Sequence, residues 1–393
     1  MTLGFDATTA SSFFFSDEHH MLRAQVRRLV EEEIKPHADI WEEQGHTPRD
    51  LLRKMGELGV FGIRYPEAYG GSDMDQLATV VLAEELGRCT YAGVAITALV
   101  HTDMASVHVF NAGTQEQKAK YLPGIIAGNT ITAVGITEPD AGSDVKSIRT
   151  TARRAVDHSG DHYVLNGTKT FITNGVLADL YCIAVKTDTT GPASQSVSMF
   201  LLEKGTPGFT VTRKLKKHGW HSSDTAELSL VDVRLPAENM LGAEGRGFYE
   251  IMKNFQNERL VLGAMAMGEA QAAIELTVDY VKNRTAFGAP LWEKQTIRQR
   301  LAMLSARVEA GRQMIYATAA RTAAGEHLVR DVSMIKAYCG ELVNEVMYEC
   351  VQFHGGMGFM AGSTIERMAR DARVQAIGGG ATEVMLEEVA KRM

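Results

Sequence analysis

From Ser16 onward the apolar positions recur at helical spacing. Met21, Leu22, Val26, Leu29, Val30 and Ile34 make one face behind an acidic first turn. Thr47-Pro48-Arg49-Asp50 sets a cap residue before a proline at the first helical position, predicting a helix through Leu51 to Leu58. Thr114-Gln115-Glu116-Gln117 has the form of a capping box leading into Tyr121. The period then changes. Residues 161–175, 179–187, 196–203, 208–213 and 226–235 are short β-branched or alternating runs bounded by Gly, Asp and Ser, which predicts strands. These runs do not alternate with helices, so a small antiparallel sheet or barrel is expected and a doubly wound sheet is not. Beyond Pro236 only Pro290 remains of nine prolines, and this stretch, rich in Ala, Leu, Met and Glu, suits long helices. The pattern predicts an α+β fold: an N-terminal helical domain over residues 1–130, a central antiparallel β domain over 131–243 and a C-terminal helical bundle over 244–393.

Composition narrows the function classes. The chain has 393 residues, 45% hydrophobic and 23% charged, with 41 Lys+Arg against 48 Asp+Glu and a net charge of -7. A mildly acidic chain with no basic run suits neither nucleic acid nor an anionic membrane surface. Cys89, Cys182, Cys339 and Cys350 show no CxxC spacing, so buried, reduced thiols are expected. No HExxH or Cys/His cluster supports a metal site. The start, through Phe13-Phe14-Phe15, lacks a cationic region, and no uninterrupted apolar run reads as a bilayer span. A soluble cytoplasmic protein is the expectation.

Two features carry candidate chemistry. Gly135-Ile-Thr-Glu-Pro-Asp-Ala-Gly-Ser-Asp144 packs small residues and hydroxyls into one loop, which either is a plain turn or lets backbone N–H groups approach a flat or anionic ligand. Ile251, Phe255, Glu258, Leu262 and Met265 share one helical face, and a single carboxylate interrupts the apolar stripe. An unpaired buried carboxylate has a raised pKa, which suits a base near neutral pH. The alternative is an ion pair with a buried arginine. Gly356-x-Gly358-x-x-Ala361 formally fits a dinucleotide fingerprint, but Cys339 to Val351 reads as helix where that motif needs a strand.

Four further segments follow the loop in order: Asn166-Gly-Thr-Lys-Thr-Phe-Ile-Thr-Asn-Gly175, Arg284-Thr-Ala-Phe-Gly-Ala-Pro-Leu-Trp-Glu-Lys-Gln295, Gln352-Phe-His-Gly-Gly-Met-Gly358 and Arg370-Asp371-Ala372. Together the five resemble the acyl-CoA dehydrogenase family over essentially the whole chain. The resemblance implies FAD, with Val134, Ile136 and Thr137 along the flavin ring and Ser143 at the diphosphate or the substrate's pantetheine arm. Phe171-Ile172-Thr173 stands where the family usually has Trp-Ile-Thr. Phe171 would shield the ring without an indole donor, and Thr173 would sit near the flavin N5. Arg284, Phe287 and Gln295 match residues that reach FAD bound by a neighbouring subunit, a guanidinium suiting the diphosphate. Gln352, Gly355 and Gly356 match the adenosine half, and Thr382 and Glu383 the adenine end. A homo-oligomer, most simply a homotetramer, and an electron-transferring flavoprotein as acceptor are implied.

Many members of the family carry a catalytic glutamate where this chain has Gly379, within Ile377-Gly378-Gly379-Gly380. The isovaleryl and long-chain branches carry it instead at the position of Glu258. By resemblance Glu258 takes the α-proton of an acyl-CoA thioester. The Gly379 N–H and a ribityl hydroxyl of FAD would stabilise the thioester oxygen, with Gln256 and Arg259 near the substrate. The freed space favours a branched or long acyl chain, including a terpenoid such as citronellyl-CoA. Two rivals stand: a flavin oxidase or monooxygenase of the same fold, and a helical scaffold without cofactor.

Overall fold

The computed structural model describes residues 13–158, 160–188 and 190–393, apart from the side chain of Ala193. Most of the segment beginning at Met1 that was read for a targeting signal lies outside these residues. Seven helices come first: α1 (Asp17–Leu29), α2 (Ala38–Gln44), α3 (Arg49–Glu57), α4 (Gln76–Gly87), α5 (Ala92–Leu99), α6 (Ser106–Ala112) and α7 (Gln115–Ile126). Two π-helical turns, Val30–Ile34 and Val100–Ala105, prolong α1 and join α5 to α6.

The first predicted face is buried at Leu22, Val26, Leu29, Val30 and Ile34, whereas Met21 is 72% exposed, one step off the stripe. The cap expected at Thr47 lies one residue on. Pro48 is the N-cap of α3, and the Thr47 hydroxyl donates to the Ser222 carbonyl at 2.8 Å, tying the helix to the β domain. At α7 the capping box is present: Gln117 N–H donates to Thr114 Oγ1 at 3.2 Å, and Thr114 N–H to Gln117 Oε1 at 2.9 Å. The continuous helical stretch Ala92–Ala112, though interrupted by His101 and Asp103, is by length and mean hydropathy apolar enough to cross a membrane, but 94% of its most apolar window is buried inside the protein.

The five predicted strands form as β3 (Gly160–Thr173), β4 (Leu180–Lys186), β5 (Val197–Glu203), β6 (Phe209–Lys214) and β7 (Thr225–Pro236). Three more complete the sheet: β1 (Thr132–Gly135), β2 (Thr151–Asp157) and β8 (Met240–Leu241). Strand order is β6-β7-β3-β2-β4-β5-β8, with β1 beside β4. The sheet is mixed rather than antiparallel. β1 runs parallel to β4 from Thr132↔Leu180 to Gly135↔Ile183, and β2 touches β4 in parallel at Thr151↔Lys186. The chain from β1 to β4 passes through a long loop and two other strands, so a hairpin does not fix its direction.

The last third is a bundle: α8 (Gly247–Asn283), α9 (Gln295–Ala323), α10 (Val329–His354), α11 (Gly356–Phe359), α12 (Thr364–Ala372) and α13 (Thr382–Ala390). A hairpin of β9 (Thr285–Ala286) and β10 (Ala289–Pro290) links α8 to α9. The segment ahead of Gly356 is helix α10, which removes the dinucleotide fingerprint. All four cysteines are buried and free, as expected.

Both helical parts share one apolar core running from Val26, Leu82 and Leu99 to Met265, Ile335 and Val343. Every residue of α8 from Glu258 to Ala270 is buried, so this helix is enclosed on all sides. Two glycines allow it. A Cβ on Gly87 of α4 would lie 2.3 Å from the Met265 carbonyl oxygen, and one on Gly268 of α8 would lie 2.1 Å from the Glu84 carbonyl oxygen. Beside this crossing, buried Glu84 accepts from Arg23 at 2.9 Å, Arg312 at 2.6 Å and Tyr316 at 2.7 Å, joining α1, α4 and α9. Because backbone atoms cannot move aside as a side chain can, Gly268→Ala is expected to destabilise the fold by about 1–3 kcal/mol. Denaturant midpoints with unchanged slope measure this, and an unaltered midpoint would show that the helices have room to part.

Candidate active site

Glu258 lies on α8 with Ile251, Leu262 and Met265 buried along its face and Phe255 half-buried. It is 7% exposed and forms no ion pair among the described residues, so the salt-bridge alternative fails. Burial pushes its carboxyl up to about 8, against the opposing pull of an Asn254 hydrogen bond and the Arg259 guanidinium. Asn254 Nδ2 donates to Glu258 Oε1 at 2.9 Å. Arg259 is itself buried, 5.7 Å over the Phe255 ring, and its Nε has no hydrogen-bond partner among the described residues. Gln256, two positions before Glu258, is half-buried.

Gly379 lies against the next turn of the same helix. Its φ is +64°, and a Cβ there would meet Leu262 Cδ1 at 2.2 Å. Leu262 thus takes up the room that a side chain at 379 would fill, and the three glycines open less space than the sequence suggested. Lys336, buried on α10, donates to the carbonyls of Gln375 at 2.5 Å and Gly380 at 3.2 Å, fixing this loop.

On the other side, the loop after β1 is bound to β3. Lys169 points inward from β3, donating to the Ile136 carbonyl at 3.1 Å and to Glu138 Oε1 at 2.7 Å. Burial pushes the Glu138 carboxyl up, but Lys169 and the Thr150 and Arg149 N–H donors outweigh it and hold the group below its usual range. Thr170 N–H donates to the Thr137 carbonyl at 2.9 Å. Val134 and Ile136 pack in one apolar cluster with Ile251 and Phe255 of α8, which brings loop and Glu258 helix together. Ser143 is exposed, Ile172 is buried and Thr173 half-buried. Phe171 is 69% exposed with φ +58°, at an irregularity of the β3–β7 pairing between Lys169 and Ile172. A bulky residue rarely adopts that conformation, and such strain gathers at functional sites.

The remaining candidates lie elsewhere. Arg284 caps the C-terminal end of α8, 26 residues beyond Glu258, roughly 39 Å at about 1.5 Å per residue. Phe287 (φ +52°) and Gly288 (φ +80°) make the tight turn of the β9–β10 hairpin, leaving Phe287 95% exposed. Gln295 is exposed at the start of α9. Gln352, Gly355 and Gly356 are exposed where α10 ends, and the adjoining His354 stacks on Tyr280 at 4.2 Å. Arg284, Tyr280, His354 and Met357 line one open cleft of about 510 Å³. Thr382 donates to Glu341 at 2.7 Å, and Glu383 is exposed in the first turn of α13. Within one chain, Val134 and Ile136 pack against the α8 face that leads to Glu258, Thr137 is bonded to β3, and Gly379 lies against Leu262 one turn beyond Glu258, whereas Arg284, Phe287, Gln295 and Gln352 lie elsewhere.

Three family models account for the chain: acyl-CoA dehydrogenase N-terminal domain over residues 16–129, middle domain over 133–233 and C-terminal domain over 245–393. The chain belongs to the acyl-CoA dehydrogenase family. It is 40% identical to the mitochondrial long-chain specific acyl-CoA dehydrogenase of Mus musculus over 96% of this chain and 87% of that one. It is 36% identical to the mitochondrial isovaleryl-CoA dehydrogenase of Pongo abelii, covering 94% and 87%. The acyl-CoA dehydrogenase structure from Geobacillus kaustophilus superposes with a TM-score of 0.91 at 42% identity, covering 96% and 98%. This acyl-CoA dehydrogenase family member is a flavin-dependent oxidoreductase that uses FAD, so the cofactor-free scaffold is set aside.

Lys169 and Glu138 lie within two of the sequence motifs but carried no expected role, and Asn254 and Lys336 were not among the candidates. Asn254 was accessible: it stands one turn before Glu258, at i−4, where side chains meet. The buried base also leaves a mark on stability. The folded carboxyl titrates at about 8 and a free one at 4.5, so between those values the folded protein keeps a proton that the unfolded chain has lost. Its contribution is complete below the unfolded value and disappears as pH rises through the folded one. Glu258→Gln cannot titrate. Its thermal stability relative to wild type should therefore increase from pH 5 to pH 8, by roughly 3–4 kcal/mol at about 1.4 kcal/mol per pH unit over most of that window. An equal difference at both pH values would contradict a dry carboxyl.

Proposed function

We propose that the enzyme dehydrogenates an acyl-CoA thioester to the trans-2-enoyl-CoA, with Glu258 as the base that takes the α-proton. The observation carrying this reading is a dry, unpaired carboxyl on the helix that packs against the loop after β1. A carboxylate whose pKa lies near the working pH accepts a proton readily and can release it again. Bound FAD supplies the acceptor for the β-hydrogen, which leaves as hydride. The residues present fit that cofactor: Phe171 is held outward in a strained conformation, and the Lys169–Glu138 pair fixes the backbone of Ile136 and Thr137 beside it. Val134, Ile136, Thr137, Ile172 and Thr173 would line the ring, with Ser143 towards the diphosphate or pantetheine. Thr382 and Glu383 would serve the adenine end. Gly379, whose φ favours glycine, would present its N–H towards the thioester oxygen and so stabilise the charge that develops there. Gln256 and Arg259 border the acyl-CoA.

The division at about residues 130 and 243 belongs to the same proposal, as does a homotetramer in which Arg284, Phe287, Gln295, Gln352, Gly355 and Gly356 serve FAD of a neighbouring subunit. The separation along α8 supports it, since these groups lie too far from Glu258 to complete the site of their own chain. A long or branched acyl chain, terpenoid thioesters included, is the proposed substrate class. Its support is the position of Glu258 together with likeness to the long-chain and isovaleryl relatives. Electrons would pass to an electron-transferring flavoprotein.

Glu258→Gln keeps size and loses the base. With the best acyl-CoA from a screen of straight, branched and terpenoid thioesters, anaerobic flavin bleaching should slow by about 10²–10⁴-fold while FAD stays bound. Rapid bleaching in that variant would reject Glu258. In the wild type, kcat/KM should rise with pH to a limb near 8, the value at which the base ionises. Stoichiometric oxygen consumption during turnover would favour an oxidase over a dehydrogenase.

A further inference from the structure

The two oxygens of Glu258 are not equivalent. Oε1 accepts from Asn254 Nδ2 at 2.9 Å, whereas Oε2 accepts no hydrogen bond among the described residues. The same amide nitrogen lies 3.1 Å from the Met104 carbonyl oxygen and 3.4 Å from that of Asp103. Both carbonyls belong to the π-helical turn Val100–Ala105, a local widening of the helix that often accompanies functional sites. Asn257, next to Glu258, also donates to the Asp103 carbonyl, at 3.0 Å, and accepts from Gln76 at 2.8 Å. The turn is thus pinned to α8 at two positions, Asn254 and Asn257.

A side-chain amide has two N–H donors on one end and an acceptor oxygen on the other. Rotated by half a turn, Asn254 would set its oxygen against the carbonyl oxygens of Asp103 and Met104. The turn therefore fixes which end of the amide faces Glu258, and that end donates. Asn254 is 2% exposed.

We propose that Asn254 is a positioning residue for the base: locked by the π-helical turn, it holds Glu258 Oε1 as an acceptor, so that the α-proton is received at Oε2. The inference rests on Glu258 being the base. As the α C–H bond breaks, an O–H bond forms at Oε2. The released pair becomes the α,β double bond, and the β C–H pair departs to FAD, the oxidant the enzyme carries. Charged neighbours do not duplicate this role. Arg259 acts on Glu258 from the same helix, and on the facing turn the Asp103 carboxylate is turned to Arg64 Nη1 at 3.3 Å. Donation to the ionised form pulls the Glu258 carboxyl down against its burial, and losing the donor lets burial act with less opposition.

The test uses FAD-loaded Asn254→Leu and Asn254→Asp, the second nearly isosteric, with the best acyl-CoA from the screen above. The acid limb of kcat/KM should move upward by about one unit, giving roughly tenfold slower flavin reduction at pH 7 that largely recovers above the new limb. A loss of equal size at every pH, or an unmoved limb in both variants, overturns the positioning role even if Glu258→Gln is inactive. Rapid bleaching by Glu258→Gln overturns the base assignment and this inference with it. If both Asn254 variants fail to retain FAD while Asn257→Ala retains it, Asn254 serves folding and the proposal is wrong.

Discussion

Where α4 crosses α8, no side chain separates the two backbones. Gly87 faces the Met265 carbonyl and Gly268 faces the Glu84 carbonyl, each closer than a methyl group would allow. That reciprocal approach draws the N-terminal helices onto the central helix of the bundle and lets one apolar core cover both. Its consequence reaches the site. With α4, α5 and the π-helical turn seated against α8, thirteen consecutive residues from Glu258 to Ala270 lose contact with water. A single helix in a bundle would leave its outer face wet, and Glu258 would titrate as an ordinary surface acid. The basicity of the group is thus a property of a helix crossing about two and a half turns away.

Burial alone does not choose the base. Glu269, further along α8, is also pushed up to about 8 by burial, with Asp371 adding to the effect. Its surroundings differ. Gln375 donates to Glu269 Oε1 at 3.1 Å, and Thr90, Ala92, Met347, Met368 and Asp371 close around the group without room for a water molecule. No substrate carbon could reach that carboxyl. Glu258 instead lies one turn from Gly379 and shares its helix face with Phe255, which packs with the loop carrying Ile136. Two carboxyls of like basicity thus differ in their surroundings, which are set by the loops that meet the helix at each level.

Much of this was legible in the residues. The stripe from Ile251 to Met265 with one acid in it requires only the helical period, and the box at Thr114 requires only local geometry. What escaped had non-local causes. Met21 and Leu22 are equally apolar, and only the position of neighbouring helices exposes one and buries the other. Thr47 reads as a cap, yet its hydroxyl is taken by Ser222, 175 residues away. The parallel β1–β4 pairing depends on the path of an intervening loop and two strands, which no window of sequence contains. The 166–175 segment alone does not reveal that Lys169 turns inward onto Glu138. The π-helical turn at Val100–Ala105 has no sequence signature, since it arises from how the Asp103 and Met104 carbonyls meet Asn254 and Asn257.

Phe171 and Phe287 sharpen the picture of a site divided between distant places. Each holds a left-handed backbone conformation that disfavours a bulky side chain, and each leaves its ring largely in water. Neither arrangement stabilises an isolated chain: the strain costs free energy, and the exposed ring returns none of it. Both become favourable only if something flat and apolar covers them. For Phe171 that surface is the proposed flavin ring. For Phe287, beside Arg284 just past the far end of α8 from Glu258, a neighbouring copy of the chain is the proposed cover. The same physical oddity at two remote positions is what a cofactor shared between subunits would leave in each one separately.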